Sequence, residues 1–224
     1  RGNALVTVFG VTPTPLDVAL KELADAMPEQ LPREGYGALE RKRFWAEIAD
    51  TCLSPQQILE RFRERVRDIM PIEFSAEPGA PQRVEPGATM TMHLPLRGNV
   101  QVRVVECDED RITFATVEGH PLAGVVRFTA RQKGNGTHFE VETLTRPASV
   151  VDFVAMRTVG NWLQEANWIE VVERVVKASD GFSSEGVQTE ATTLEDDEAT
   201  KVEKQIEQLV TRYRHDRHVQ EVQS

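Results

Sequence analysis

Residues 148–178 read ASVVDFVAMRTVGNWLQEANWIEVVERVVKA, a stretch with no proline and a single glycine. Apolar residues recur along all of it, which predicts one long helix of about 45 Å at ~1.5 Å per residue. A helix this apolar has to be covered, and the segment before it supplies the cover. Between Ile72 and Arg146 the hydrophobic period drops to two, in short runs at Ile72–Ser75, Thr89–Leu94, Asn99–Cys107, Arg111–Val117, Val125–Arg131 and Thr137–Thr145. Turn signals separate the later runs: Gly98-Asn99, Asp108-Glu109-Asp110, and Lys133-Gly134-Asn135-Gly136 with its hairpin-forming Asn-Gly pair. The pattern is an antiparallel meander followed by a terminal helix. The predicted class is α+β, a curved antiparallel sheet wrapped on a long C-terminal helix.

Upstream, Ser54-Pro55-Gln56-Gln57 has the form of a capping box with proline at the first helical position. Ile58, Leu59, Phe62, Val66 and Ile69 then mark the buried face of a helix ending at Pro71. Phe44, Ala46 and Ile48 alternate with Trp45, Glu47 and Ala49 as one strand ahead of it. Leu5–Phe9 reads as a further short strand, and Thr14-Pro15 as the start of a helix carrying Leu16, Leu20, Leu23 and Met27. Pro28, Pro32, Gly35 and Gly37 punctuate the loop that follows.

Downstream, residues 179–193 are polar, rich in Ser, Thr, Gly and Glu, and read as a flexible acidic linker. Beyond it Val202, Ile206, Leu209 and Tyr213 form one narrow stripe of a short tail helix. So narrow a stripe suits a coiled-coil seam, in a homodimer or with a partner's helix, or else a frayed, solvated terminus. The expected domain order is a strand–helix extension (1–40), the sheet-and-helix domain (41–178), the linker (179–193) and a charged amphipathic tail helix (194–224). Folding of the body is expected not to need the tail.

The chain has 224 residues, a formal net charge of −10 and 40% hydrophobic residues, enough for a substantial core. From Ser179 onward 11 acids face 5 bases, so the tail holds −6 of that charge. The acidic balance argues against a nucleic-acid binder, since affinity for phosphate backbones comes from clustered Lys and Arg. No apolar run approaches the ~18 residues of a transmembrane helix, and no secretory signal opens the chain, so a cytoplasmic protein is expected. It opens on Arg1 rather than methionine, as a fragment or processed form would. Cys52 and Cys107 lack CxxC spacing and read as reduced packing residues.

Four stretches carry a resemblance: Phe44–Met70 with its strand, capping box and helix, then VEPGATMTMHL (Val84–Leu94), TVEGHPLAG (Thr116–Gly124) and TRPA (Thr145–Ala148). Together they resemble the START-like, Bet v 1-like helix-grip superfamily, and within it the bacterial family catalogued as domain of unknown function nineteen-ninety. The resemblance runs from about Phe44 to Ser179, with Gly-His-Pro and Arg-Pro its most specific elements. It departs from the family pattern at Phe114-Ala115-Thr116 and at Val125-Val126. What it implies is the helix-grip fold and a cavity between sheet and helix. It carries no established activity with it.

Glu118-Gly119-His120-Pro121 is the sharpest polar constellation: the glycine and proline either hold a functional imidazole at a cavity rim or simply shape a turn in which His120 bonds a backbone carbonyl. Arg146, before Pro147, either holds a ligand carboxylate or phosphate or pairs with a protein carboxylate. On the long helix Arg157, Asn161, Gln164 and Trp168 share a side, lining a cavity or forming a second solvated stripe, while Asp152, Glu170, Arg174 and Lys177 share a side read as solvent-facing. His215 and His218 read as part of a solvated face, and His93 and His138 as packing or edge residues. No phosphate loop, nucleophile elbow or metal-spaced Cys/His pairing is present, and neither cofactor nor metal is expected. The leading function is binding of a hydrophobic or amphipathic small molecule, lipid-like or polyketide-like, with His120, Glu118, Arg146, Arg157, Asn161, Gln164 and Trp168 as ligand-binding candidates. A cyclase or hydratase using His120 with Glu118 as acid and base, and an interaction module presenting the tail helix, are the alternatives.

Overall fold

A computed structural model describes residues 26–71, 74–76, 83–94, 98–155 and 161–223, and the side chains of 74–76, 153–155, 161–164 and 220–223 fall outside that description. The strand expected at Leu5–Phe9 and the start of the helix expected after it also lie outside the described residues. Strand β1 (Glu40–Ile48) alternates as its sequence requires, with Phe44, Ala46 and Ile48 buried on one face. Helix α1 (Pro55–Glu64) opens on the expected capping box. Gln57 N–H donates to Ser54 Oγ at 3.3 Å, and Ser54 N–H donates to Gln57 Oε1 at 2.8 Å. One non-helical residue, Arg65, separates it from α2 (Val66–Ile69), so the helix expected to reach Pro71 is two pieces.

The meander follows as β2 (Phe74–Ala76), β3 (Thr89–Leu94), β4 (Gly98–Cys107), β5 (Arg111–Thr116), β6 (Leu122–Lys133) and β7 (Gly136–Pro147). Helices α3 (Val150–Ala155) and α4 (Asn161–Ala178) occupy the stretch expected as one long helix, with 156–160 outside the described residues. Ser149 caps α3: its Oγ accepts from Asp152 N–H at 3.1 Å and donates to Asp152 Oδ2 at 2.6 Å. Asp152 is thereby buried, not solvent-facing as its helical phase suggested.

Two expectations about the C-terminal region are corrected. Within 179–193, read as a linker, Gln188–Thr193 forms β8, antiparallel to β1, and Phe182 bridges to Ala49. Its exposed side chains hide the strand from any hydrophobic pattern, while backbone hydrogen bonds to the free edge of β1 hold it. The sheet therefore has eight strands in the order β2-β3-β4-β5-β6-β7-β1-β8, and the pairs are antiparallel. The tail is a long helix, α5 (Asp196–Gln223), and it is docked. Val202, Ile206, Val210 and Tyr213 are buried against Val105, Ala115, Val125 and Leu144 of the sheet's outer face, with Leu209 half-buried. The stripe offered to a dimer or a partner helix is thus covered by the chain's own sheet.

The inner face holds the larger core. Ile58, Leu59 and Phe62 of α1 and Trp168, Val171, Val172 and Val175 of α4 pack on Phe44, Phe114, Phe128 and Phe139. A bulge at Val105, where Val104 opposes Phe114 but Glu106 opposes Thr113, keeps Val104 on the inner face and turns Glu106 outward. Arg103, on the outer face, is 1% exposed. Its guanidinium donates to Glu29 Oε1 at 2.5 Å, while Arg214 of α5 donates to Glu29 Oε2 at 2.6 Å. This triad joins the N-terminal arm, β4 and the tail. Burial works to raise the Glu29 carboxyl, but Arg214 and Arg103 outweigh it and hold the group below its ordinary value.

Candidate ligand site

The aromatic layer of the inner face is continuous. Phe128 stacks on Phe62 with centroids 4.5 Å apart and meets Phe114 and Trp168 edge-on at 5.5 and 5.9 Å. Toward the start of β1 and the end of β7 the inward positions turn polar. Lys42 continues the phase of Phe44, and Thr143 and Thr145 continue that of Phe139 and Val141. Lys42 and Thr143 are cross-strand partners, and Thr143 pairs in turn with Val126. Asn167 on α4 and Asp152 on α3 are buried as well.

Some of these groups are satisfied inside the protein. Lys42 Nζ lies 3.7 Å from Glu165 and 3.8 Å from Glu40. Thr116 Oγ1 accepts from Gly124 N–H at 3.0 Å. That contact needs the glycine, because a Cβ at position 124, where φ is +146°, would sit 2.1 Å from Leu144 O. Of the buried side-chain atoms with no hydrogen-bond partner among the described residues, Thr143 Oγ1, Asn167 Oδ1 and Trp168 Nε1 belong to this side of the sheet. They are a hydroxyl, an acceptor and a donor. Left unmet, each costs about 1–3 kcal/mol.

The residues singled out in the sequence are distributed unevenly. His120 is buried, and its Nδ1 takes the backbone N–H of Leu122 at 3.0 Å. Gly119 sits at φ +90°, and the backbone N–H of Glu118 donates to Pro28 O. Glu118 itself is exposed. The Gly-His-Pro element therefore shapes its own turn and anchors the N-terminal arm. Arg146 shares the outward phase of Leu144 and pairs with Glu203 of α5 at 2.6 Å, the protein-carboxylate alternative. Trp168 is on the inner face. Arg157 lies outside the described residues, as do the side chains of Asn161 and Gln164. Thr143, Asn167 and Lys42 were not singled out, although the threonine and the lysine stand in the inward phase of their strands.

Cys52 is exposed rather than packed, and burial pushes the thiol of Cys107 up. Among the described residues no three His, Cys, Asp or Glu side chains are grouped to hold a metal ion, and no helix is long and apolar enough to cross a membrane.

An antiparallel sheet with α1 and α2 between its first two strands, and a later helix held on its inner face, defines a START-like helix-grip domain. The chain belongs to the family described as Domain of unknown function (DUF1990), whose profile matches residues 20–178. β8 and α5 lie beyond that match. No curated protein matches the chain. Among solved structures it is similar to the KanY protein, at 17% identity and a TM-score of 0.46 over 66% of this chain and 99% of that one. It is also similar to the di-domain ARO/CYC StfQ of the steffimycin biosynthetic pathway, at 11% identity and 0.46 over 66% of this chain and 52% of that one. For DynU16, a protein in the dynemicin biosynthetic locus, the identity is 14% and the TM-score 0.41 over 61% of this chain. The chain spans about half the length of DynU16, 47% of it. Likeness at this level carries no chemistry across.

Proposed function

We propose that the protein binds a hydrophobic or amphipathic small molecule, lipid-like or polyketide-like, between the inner face of the sheet and helices α3 and α4. The observation that carries this reading is the trio of unsatisfied buried atoms, Thr143 Oγ1, Asn167 Oδ1 and Trp168 Nε1, beside an aromatic layer. A bound molecule with an apolar body and one or two oxygen functions meets both demands, since binding sites combine an apolar lining with a few placed polar groups. Arg157, Asn161 and Gln164 stay candidates for the same site on the sequence reading alone. His120 and Glu118 contribute through the turn they form, and Arg146 through its hold on α5.

The test is native mass spectrometry of the full chain, followed by denaturing release. The expected result is a small molecule that leaves on denaturation and whose occupancy falls in Thr143→Val. A protein that purifies bare, and takes up no apolar probe, ends the proposal.

A further inference from the structure

The outer face of the sheet carries a concavity of its own, independent of the proposed inner site. It is a cleft of about 590 Å³ between one flank of α5 and the outward residues of β1, β7, β6 and β5. Six arginines line it: Arg41, Arg43, Arg111, Arg127, Arg131 and Arg212. Glu106, Glu140 and Glu142 line it as well, so its described lining carries a formal +3 in a chain of net charge −10.

The charge is partly answered by the protein. Arg43 pairs with Glu140 at 2.5 Å and with Glu190 at 3.0 Å, and Arg41 with Glu198 at 2.7 Å and Glu142 at 3.2 Å. Arg127 shares Glu142 at 3.4 Å, and Arg111 stands 3.7 Å from Glu106. These pairs fix four guanidiniums in place. Arg131 and Arg212 make no ion pair or hydrogen bond with the described residues, and they enter the cleft from opposite walls, β6 and α5. Two unanswered guanidiniums across a cleft, with four more held along its floor, form a receptor for one compact polyanion. The planar fork of each can take two oxygens at once.

The cleft also constrains what the anion is. Among the described residues no aromatic side chain lines it, so they offer no platform for a nucleic-acid base. The acidic surface beyond it opposes an extended polyanion, but at physiological ionic strength that repulsion is screened over ~8 Å, leaving a small ion to feel mainly the arginines it touches. We propose that this cleft binds a small polyanion bearing phosphate or carboxylate groups, bracketed by Arg131 and Arg212. Because Arg212 belongs to α5, beyond the matched family segment, the site is a property of this chain's C-terminal extension, and its ligand ties that extension to the sheet.

Titration calorimetry on the full chain tests this with inorganic pyrophosphate in one arm and tricarballylate in the other, which separates phosphate from carboxylate recognition. The expected result is one saturable site per chain for at least one probe. Arg131→Gln and Arg212→Gln should each weaken it about tenfold or more. Both arginines are exposed, so the melting temperature without probe should not move. Lys177→Gln, which removes the same charge at a distance, should leave the affinity unchanged. Absence of saturable binding in both arms overturns the proposal, as does binding that Lys177→Gln weakens as much as the two arginine variants do.

Discussion

The two faces of this sheet are finished in opposite ways. The inner face buries Phe44, Phe114, Phe128 and Phe139 under α1 and α4, while the outer face divides between an apolar strip under α5 and a ladder of arginines and glutamates. Along that ladder Arg43 stands opposite Glu142, Glu142 opposite Arg127, and Arg127 opposite Thr113. Charge is cheap there because each group has water or a cross-strand partner. On the inner face a single hydroxyl without a partner is conspicuous, since burial removes water as the alternative. Polar atoms therefore signal differently on the two sides. Inside, the informative ones lack partners. Outside, the informative ones are the charges that remain after pairing.

The largest expected effect comes from ending the chain after Ala178. That removes β8 and α5 and uncovers Leu39, Val105, Ala115, Val125 and Leu144. Losing the burial of Leu194, Val202, Ile206, Val210 and Tyr213, at about 1.5–3 kcal/mol per large side chain, amounts to roughly 10 kcal/mol, comparable with the whole stability of a domain. The truncated chain should show no cooperative thermal transition by circular dichroism. A transition within a few degrees of the intact protein would mean that the outer face needs no cover.

Next in size is Glu29→Gln, which leaves Arg103 buried without its counter-charge. The expected loss is about 3–5 kcal/mol by urea denaturation. Because the folded carboxyl titrates below its ordinary 4.5, its contribution is present above that value and lost as pH falls through the folded pKa. The variant and the wild type should accordingly converge in acid. Curves that stay parallel down to low pH would place the stability of this region elsewhere.

Thr143→Val should act in the opposite direction. It replaces an unsatisfied hydroxyl by a methyl group of the same shape, so the ligand-free protein should gain about 1 kcal/mol, or ~2–4 °C in Tm. A clear loss would show that the hydroxyl is satisfied internally.

The smallest effect concerns the outer ladder. His138 donates toward Glu47 at 2.8 Å and Glu140 at 3.2 Å. Its pKa is raised, Glu140 being the largest cause and burial opposing it. A raised imidazole stabilises fully below its unfolded value of 6.5, and that stabilisation disappears as pH rises through the folded pKa. The Tm advantage of wild type over His138→Gln should be greatest just below pH 6.5 and shrink in alkali. An advantage that grows with pH would reverse the assignment.

Much of the fold was legible because period-two runs, the Ser54 capping box and the apolar stretch at 148–178 are local signals that tertiary packing did not override. β8 was not, since Gln188-Thr189-Glu190-Ala191-Thr192-Thr193 buries no side chain and is held by backbone bonds to β1 and one exposed ion pair, Glu190 with Arg43; its three threonines were the only trace. The stripe on α5 was visible, but not its receiver. Val105, Ala115, Val125 and Leu144 sit in strands whose inner face is apolar too, so they read as undirected hydrophobicity. Of the candidate site, the sequence leaves Trp168 between a cavity-lining side and a solvated stripe, and the structure buries it on the inner face. Thr143 was passed over because a threonine in a strand is unremarkable until its hydroxyl is known to lack a partner.

Whether the inner face takes a ligand is tested most directly by titrating the full chain with neutral N-phenyl-1-naphthylamine while exciting tryptophan. The uncharged probe has no attraction to the arginine cleft, and Trp168 lies against Phe128 in the proposed pocket. The expected result is saturable one-to-one uptake, with energy transfer that falls in Trp168→Phe and is untouched by Arg131→Gln. Uptake that never saturates, or transfer that Trp168→Phe leaves whole, would mean that the space beneath α3 and α4 holds no ligand.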